Sequence, residues 1–275
     1  MNSILLLASD LDGTLFDGNG TVSNENLAAI HALSARGVHF VPSTGRTLGE
    51  IPAVLRENND IRYIIHSNGA VIFDKKTKKR ICHGIKAALL PFVFSTLTRF
   101  EVHLCVRYAG HTYFDAAKNT PEDFRYYNLC KEHISILETC ATPKENFLEW
   151  VLTLDDVEQI TSFFHSASEM KRAIAQLTAN PLLRAAISAD YNIDLFSCDA
   201  GKGVALRELS DLLKIPHQCT AAVGDSENDL TIIKAAELGL AVSNACDTLK
   251  SAADAIICSN EESAIAYILA NYFPS

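Results

Sequence analysis

The sequence predicts an α/β protein in which a parallel sheet with helices on its faces is interrupted by a second domain. Short apolar runs alternate with stretches of helical periodicity in the first third of the chain, and this alternation resumes at Gly201. Between these parts, from about Ile85, alternating segments typical of antiparallel strands replace the strand–helix pattern. We therefore predict one domain from residues 1–84 and 189–275, and an inserted α+β domain from residues 85–188.

Composition and charge argue against several classes of protein. The chain has 275 residues with 48% hydrophobic content, enough to bury one or two cores. It has no apolar run of about 18 residues and no secretory signal, so we expect a cytoplasmic protein without a membrane partner. A formal net charge of -9 without a basic stripe argues against a nucleic-acid partner. The eight cysteines are scattered and form no CxxC pair, which indicates reduced thiols rather than disulfides or a zinc site.

The first strand leads into a pair of aspartates. Residues 4–8 are apolar and predict a buried strand, and residues 9–13 follow it as a polar turn. Asp10 and Asp12 are two residues apart, so both point to the same side in an extended chain. Two carboxylates that converge repel each other unless a cation lies between them, and oxygen ligands suit Mg²⁺. Taken alone, the same pattern also fits a turn with two solvated aspartates.

The next elements continue the strand–helix alternation. A helix capped by Ser23 and stopped at Gly37 precedes strands over residues 38–41 and 63–65. Asn68 and Gly69 then form a strong turn signal between two apolar runs. A second helix is predicted between the two strands on the spacing of four apolar residues: Leu48, Ile51, Val54 and Leu55.

The rest of the chain divides into an inserted part and a returning parallel part. The inserted part predicts a helix over 86–100, strands over 102–108, 111–114 and 147–154, a long helix capped by Asp155 or Asp156 and ending near Pro181, and a hairpin of residues 183–188 and 191–197. The returning part predicts helices over 202–213 and 230–236, after Asp247 and from Glu261, and strands over 219–223, 240–242 and 255–257.

Polar residues follow the carboxyl ends of the predicted parallel strands, where open parallel sheets bind their ligands. Four short motifs lie there in chain order: Asp10-Leu11-Asp12-Gly13-Thr14, Ser43-Thr44-Gly45-Arg46, Lys202-Gly203, and Gly224-Asp225-Ser226-Glu227-Asn228-Asp229. Together they resemble the motifs of the haloacid dehalogenase-like (HAD) superfamily. The long insert before the third motif is similar to the Cof-type sugar phosphatase branch with a large C2-type cap. The resemblance implies a Rossmann-like core, with the inserted domain as the cap that selects substrates.

The resemblance also implies a Mg²⁺-dependent phosphatase acting on small phosphorylated metabolites, with sugar phosphates as the first expectation. Asp10 would be the nucleophile that forms an aspartyl phosphate, since a carboxylate is ionised at neutral pH without a separate base. Asp12 would be the general acid for the leaving alcohol and then the general base for water. Asp10, Asp225 and the backbone carbonyl of Asp12 would hold the metal, and Asp229 would order these ligands. Five groups would hold the phosphoryl oxygens: the Leu11 amide, the Thr44 hydroxyl, the Gly45 amide, Lys202 and Asn228.

Several residues have plainer interpretations when taken singly. Thr44 fits an ordinary turn residue, and Asn68 fits a structural turn beside the site. Lys202 fits a solvated lysine, although its place at the positive end of a helix indicates an anionic partner. Arg46 either orients a substrate or pairs with a surface acid.

Two other functions use similar residues. A phosphomutase or phosphotransferase would form the same aspartyl phosphate and pass the group to a second alcohol. A non-enzymatic, receiver-like phospho-acceptor also combines acidic residues, a hydroxyl and a lysine on a parallel sheet. Asp12 at the acid–base position and a cap of this size argue against the receiver. The identity of the metabolite and the oligomeric state stay open at this stage.

Overall fold

The computed structural model describes residues 3–273, apart from the side chains of Glu132, Ser188 and Ala189. The chain forms two compact units. The first unit runs up to Gly45 and includes Pro52–Ile81 and the chain from Gly201 onward, and the second consists of Arg46–Ile51 and Cys82–Ala200. The outermost residues of the predicted first domain, 1–2 and 274–275, lie outside the described residues. Every helix between residues 3 and 273 is too short or too polar to cross a membrane.

Strands and short helices follow one another along the whole described chain. The strands are β1 (Leu6–Ser9), β2 (His39–Pro42), β3 (Tyr63–His66), β4 (Val71–Asp74), β5 (Arg80–Cys82), β6 (Val102–Tyr108), β7 (His111–Asp115), β8 (Thr142–Lys144), β9 (Gln159–Phe164), β10 (Leu183–Ala189), β11 (Asn192–Ser197), β12 (Thr220–Gly224), β13 (Leu238–Val242) and β14 (Ala255–Ile257). The helices are α1 (Asn24–Ala35), α2 (Ala53–Arg56), α3 (Leu90–Leu97), α4 (Pro121–Tyr126), α5 (Lys131–Thr139), α6 (Phe147–Val151), α7 (Ala167–Leu177), α8 (Lys202–Leu213), α9 (Leu230–Ile233), α10 (Asp247–Ala252) and α11 (Ala264–Tyr272).

The first unit is built on a parallel sheet of order β14-β13-β12-β1-β2. Ser9 at the end of β1 lies opposite Val223 of β12 and Pro42 of β2, so these three strands end at one level. A parallel bridge between Ser43 and Ile65 places β3 beside β2 at the same edge. The central strands are apolar and buried, as expected for a parallel sheet covered on both faces. The predicted α/β class is confirmed.

The second unit contains a six-stranded sheet of order β10-β11-β9-β6-β7-β8, antiparallel except for the pair β7–β8. Its larger apolar core includes residues of β6 and β9 packed with residues of α3 and α7. A smaller cluster joins Cys105, Phe114 and Phe163 to residues of α4 and α5, including Phe124 and Leu137. Alternate residues of β6 and β9 belong to the two clusters, so this sheet is covered on both faces by the period-two rule.

Three predicted elements are wrong. The helix predicted on Leu48 to Leu55 is a 3₁₀ turn at Leu48–Glu50 followed by α2. Pro52 explains the break, because proline disfavours helical backbone in the preceding residue, and Ile51 is extended with φ -75° and ψ 127°.

The other two errors lie next to each other in the second unit. The strand predicted over 147–154 is the helix α6, in which Phe147 and Val151 are four residues apart and both buried. The long helix predicted after Asp155 or Asp156 is β9 followed by α7, whose N-cap is Ser166. All six residues of β9 are buried, and its apolar residues Ile160, Phe163 and Phe164 are spaced three and four apart, which is also the spacing of one face of a helix.

The boundary of the second unit also differs from the predicted one. The prediction placed residues from 189 onward in the first domain. In the structure β11 pairs with β10 and β9, so both strands of this hairpin belong to the six-stranded sheet. The second unit accordingly continues to Ala200. It also takes in Arg46–Ile51, which the sequence assigned to the first domain.

Candidate active site

The first motif turns sharply where β1 ends. The Asp10 N–H donates to the carbonyl of Val223 at 3.0 Å, so Asp10 still pairs with the neighbouring strand. The Leu11 carbonyl then accepts the N–H groups of Leu15 (3.0 Å) and Phe16 (2.8 Å), which closes the turn. Asp10 is buried, whereas Asp12 lies exposed on this turn.

Gly13 permits the close approach of a second loop to this turn. Its φ is +73°, in the left-handed region that glycine adopts without strain. A Cβ atom at this position would lie 2.6 Å from Oδ2 of Asp225. The neighbouring Thr14 hydroxyl donates to Oδ1 of Asp225 at 3.2 Å. The turn after β1 and the loop after β12 therefore meet through direct contacts with the Asp225 carboxylate.

Lys202, the first residue of α8, is fully buried in a double ion pair. Its Nζ donates to Oδ1 of Asp10 at 2.6 Å and to Oδ1 of Asp229 at 2.6 Å. The other oxygen of Asp229 accepts the N–H groups of Asp225 (3.1 Å) and Ser226 (3.2 Å). Both oxygens of Asp229 are thus committed to orienting the loop after β12 and the lysine.

Three carboxylates converge here against a single lysine. Asp10, Asp225 and Asp229 each offer an oxygen within 4.8 Å of the other two. Lys202 compensates only one of the three negative charges, and uncompensated charge in a buried site is costly. Carboxylate oxygens are ligands of hard divalent cations. This donor set and its excess negative charge fit a metal ion.

The pKa values of the cluster reflect the same excess of negative charge. Burial, reinforced by the charge of Asp229, raises the pKa of Asp10 well above its usual value even though Lys202 opposes the shift. Burial and the charge of Asp229 likewise raise the pKa of Asp225 to about 6. For Lys202, burial lowers the pKa, but the charges of Asp10 and Asp229 outweigh it and raise the pKa above the ordinary value. A divalent cation would oppose both carboxylate shifts, because it favours the ionised form.

The predicted phosphate-binding residues lie at the same edge of the sheet. Thr44, which follows β2, is buried, and its N–H donates to the Ile65 carbonyl at 3.0 Å. Its own carbonyl accepts the N–H of Asn68 at 3.0 Å. Asn228, in the loop after β12, donates through Nδ2 to Oδ1 of Asn68 at 3.3 Å. The second and fourth motifs are therefore linked through the turn that follows β3.

Two other candidates from the sequence are Asp12 and Arg46. Among residues 3–273, the carboxylate group that could hold a metal does not include Asp12. The backbone carbonyl of Asp12, which the family resemblance names as a ligand, stays a prediction. Arg46 belongs to the second unit, where its guanidinium donates to the Glu50 carbonyl at 3.0 Å.

Two residues without a predicted catalytic or binding role contact the motifs. Thr14, the last residue of the first motif, contacts Asp225. Asn68 was predicted to be a structural residue that holds the loop beside the site, and it contacts both Thr44 and Asn228. The signal for Asn68 was its position after a predicted parallel strand, at the ligand-binding edge of the sheet.

Comparison with known proteins agrees with this arrangement. A family model described as haloacid dehalogenase-like hydrolase matches residues 7–269. Phosphatase YwpJ of Bacillus subtilis is 29% identical over 286 residues, which cover 96% of this chain and 98% of that protein. The 5-amino-6-(5-phospho-D-ribitylamino)uracil phosphatase YwtE of the same organism is 27% identical over 276 residues, covering 96% of each protein.

The fold is also similar to solved structures. A haloacid dehalogenase-like hydrolase from Bacteroides thetaiotaomicron matches with a TM-score of 0.83 and 22% identity, covering 98% of this chain and 100% of that chain. The resemblance predicted from the four motifs, including the Cof-type branch, is confirmed. With the family match over nearly the whole chain, the chain belongs to the haloacid dehalogenase-like hydrolases and is a phosphatase of that family.

Proposed function

We propose that this protein is a Mg²⁺-dependent phosphatase that hydrolyses phosphate monoesters of small polyhydroxylated metabolites, such as sugar phosphates, through an aspartyl phosphate on Asp10. One observation carries the proposal. Asp10 is buried at the end of β1 in an ion pair with Lys202, within a cluster that holds more negative than positive charge. Such a cluster suits a cation and an oxyanion that bind together, as phosphoryl transfer requires.

The chemistry proceeds in two displacements at phosphorus. An oxygen of Asp10 forms a bond to phosphorus while the bond to the leaving-group oxygen breaks, and Asp12 gives that oxygen its proton. Asp12 then accepts a proton from water, whose oxygen attacks the phosphorus of the aspartyl phosphate. Inorganic phosphate leaves and the Asp10 carboxylate is restored. The exposure of Asp12 supports this role, because the group must reach both the leaving group and water.

Lys202 and the acidic cluster stabilise charge during these steps. The lysine holds Oδ1 of Asp10 at 2.6 Å and offsets charge on the transferring group. Asp10, Asp225 and the carbonyl of Asp12 would hold Mg²⁺, which would supply further positive charge to the phosphoryl oxygens. Asp229 orders these groups, and the commitment of both its oxygens to Lys202 and to backbone N–H groups supports that assignment.

The remaining oxygens of the phosphoryl group are held by neutral donors. We assign this role to the Leu11 amide, the Thr44 hydroxyl, the Gly45 amide and the Asn228 side chain. Their positions after β1, β2 and β12 support it, because these parallel strands end at one edge of the sheet.

The second unit is the part that selects the leaving group in this proposal. The relative YwtE is named for a phosphorylated ribitylamino compound, which supports a polyhydroxylated substrate for this chain. We also propose a cytoplasmic location, supported by eight cysteines that are all free thiols.

A panel of phosphorylated metabolites, assayed for phosphate release with Mg²⁺, tests the function. We expect turnover of at least one sugar or polyol phosphate and of p-nitrophenyl phosphate. The Asp10→Asn variant should fold normally and lose about 10⁴-fold in kcat, because it lacks the nucleophile. Retention of more than about a tenth of the wild-type kcat would contradict Asp10 as the nucleophile, on the scale of such knockouts.

A further inference from the structure

The turn after β3 has an unusual backbone. Ser67, Asn68 and Gly69 have φ values of 52°, 55° and 83°, so three successive residues are left-handed. Glycine adopts this conformation freely, but each of the other two residues is strained by roughly 1 kcal/mol or more. Strain of this kind persists where surrounding contacts hold the chain in place, and it concentrates at functional sites.

The turn is attached first to the second motif. The Asn68 N–H donates to the Thr44 carbonyl at 3.0 Å. The Asn68 side chain lies against Gly45, since a Cβ atom on Gly45 would be 3.1 Å from Oδ1 and 3.4 Å from Nδ2 of Asn68. Asn68 therefore fixes the path of the backbone that carries the Thr44 hydroxyl and the Gly45 amide.

The same side chain orients the fourth motif. Oδ1 of Asn68 accepts from Nδ2 of Asn228 at 3.3 Å. The other end of the Asn228 amide is also held, because its Oδ1 accepts from the Ser226 hydroxyl at 2.7 Å. Both ends of the Asn228 side chain are thus fixed although the residue is exposed, which limits its rotation toward solvent.

The third motif packs on the last residue of the turn. A side chain on Gly69 would collide with the carbonyl group of Gly201 and with the backbone nitrogen of Lys202. With its φ of +83°, Gly69 brings the turn directly against the start of α8. The turn at residues 67–69 thus contacts all three segments that carry the proposed phosphate-binding side chains.

We propose that Asn68 is a positioning residue for the phosphate site, a role that rests on the proposed function. Its backbone and side chain hold the Thr44–Gly45 loop and orient the Asn228 amide, so these donors are arranged before the phosphate binds. Preorganised donors bind an oxyanion more tightly, because they lose little conformational entropy on binding.

The Asn68→Gly variant separates positioning from folding. Glycine keeps the left-handed turn accessible, so the variant removes the side chain, with its contacts to Gly45 and Asn228, and keeps the backbone. The matched control is Asn146→Gly, because Asn146 is also left-handed, with φ 48°, but is exposed and precedes α6 in the second unit. Both variants should unfold at temperatures within a few degrees of wild type.

Titration calorimetry with inorganic phosphate in the presence of Mg²⁺ gives the first readout. We expect Asn68→Gly to raise the Kd for phosphate about tenfold, and the KM for p-nitrophenyl phosphate to rise in parallel. A variant that is only less stable would lose kcat through a smaller folded fraction while keeping its KM. Asn146→Gly should leave both Kd and KM unchanged.

A double-mutant cycle tests the route through Asn228. If Asn228→Ala alone also weakens phosphate binding about tenfold, the combined Asn68→Gly/Asn228→Ala variant should lose clearly less than the ~100-fold expected of independent effects. A loss equal to the product of the single effects overturns the proposal. So does a Kd for Asn68→Gly within about twofold of wild type, or an equal loss in Asn146→Gly.

The two proposals fail in different ways. If wild type hydrolyses esters and binds phosphate but Asn68→Gly matches it, the role of Asn68 is wrong and the proposed function stands. If wild type hydrolyses no ester but binds phosphate, the proposed function is wrong, and the calorimetric comparison still decides the role of Asn68. Absence of phosphate binding by wild type overturns the role of Asn68, whereas ester hydrolysis alone decides the proposed function.

Discussion

Each unit of this protein buries a charged cluster, and the carboxylates of the two clusters have different partners. In the first unit, Lys202 faces three carboxylates that lie within 4.8 Å of one another. In the second unit, the carboxylate of Glu50 lies 3.9 Å from the guanidinium of Arg107. Glu50 also accepts the Thr112 hydroxyl at 2.6 Å and the Thr47 N–H at 2.9 Å.

The two clusters respond to burial in opposite ways. Burial tends to raise the pKa of Glu50, but Arg107 and the hydrogen bonds outweigh it and the pKa is lowered. Burial raises the pKa of Asp10, and the single lysine does not reverse the shift. The Glu50 carboxylate is stabilised by a guanidinium and by hydrogen bonds without a ligand, so we assign it a structural role. In the first unit three carboxylates face one lysine, so further positive charge would stabilise them, and we assign function to that cluster.

Replacement of Lys202 in the first cluster should have the largest effect on stability and activity. Lys202→Met leaves Asp10 and Asp229 buried without a cation, so the free energy of unfolding at pH 7 should fall by about 3–5 kcal/mol. The kcat for p-nitrophenyl phosphate should fall by about 10³-fold per folded molecule, because charge stabilisation is lost with the lysine. Urea unfolding and phosphate release measure the two effects.

Lys131→Met is the matched control for this variant, since Lys131 is also the first residue of a helix but is exposed. It should change stability by less than about 0.5 kcal/mol. An equally small change in Lys202→Met would contradict the assignment of an unbalanced buried cluster.

Metal removal should act on the first cluster alone. Chelation should abolish turnover and Mg²⁺ should restore it, whereas Ca²⁺ should inhibit because its looser coordination misplaces the attacking oxygen. Mg²⁺ at 100 times its Kd should also raise the free energy of unfolding by about 2.7 kcal/mol. Thermal unfolding with and without Mg²⁺ measures this gain, which should shrink in Asp225→Asn and persist in Glu50→Gln. Full turnover after exhaustive chelation would remove the metal from the mechanism.

Replacement of Glu50 should have the smallest effect of the three changes. It should lower the free energy of unfolding and leave kcat per folded molecule unchanged. Glu50→Gln weakens the pair with Arg107, so we expect a loss of about 1–3 kcal/mol at pH 7. Because folding lowers the pKa of Glu50, its contribution is fully present above the unfolded value near 4.5 and is lost as pH falls through the folded pKa. The difference between wild type and variant should therefore shrink in acid.

Urea unfolding of wild type and Glu50→Gln between pH 3 and pH 7 measures this trend. Glu138→Gln, on the exposed surface of α5, serves as the control. A loss that grew as the pH fell, or a kcat per folded molecule reduced by more than about tenfold, would contradict a purely structural role for Glu50.

Sequence patterns predicted the first unit better than the second, for a physical reason. Parallel strands such as residues 219–223 and 255–257 are short apolar runs between polar turns, and the structure places β12 and β14 within one residue of these bounds. The motif residues follow strand ends, so their convergence at one edge could be predicted from topology alone. The contacts of Thr14 and Asn68 could not, because they depend on side-chain distances between segments remote in sequence.

In the second unit, the spacing of apolar residues did not distinguish helix from strand in segments that are buried along their whole length. Residues 159–164 are buried on both faces of the sheet, so they lack the alternation that identifies a half-exposed strand. Phe147 and Val151 fit a helix by their spacing, but the segment is only five residues long. The attachment of Arg46–Ile51 to this unit depends on contacts with β7, which no local pattern encodes.

That attachment has a consequence for recombining this protein with its relatives. Arg46–Ile51 is separated in sequence from the rest of the second unit, and Gly49 and Glu50 bond to Gly110 and Thr112 at the β6–β7 hairpin. A chimera that takes only residues 82–200 from a relative would pair the β6–β7 hairpin of that relative with the native segment Arg46–Ile51. The exchangeable module is therefore discontinuous, and grafts that carry both pieces from one parent preserve its internal bonding.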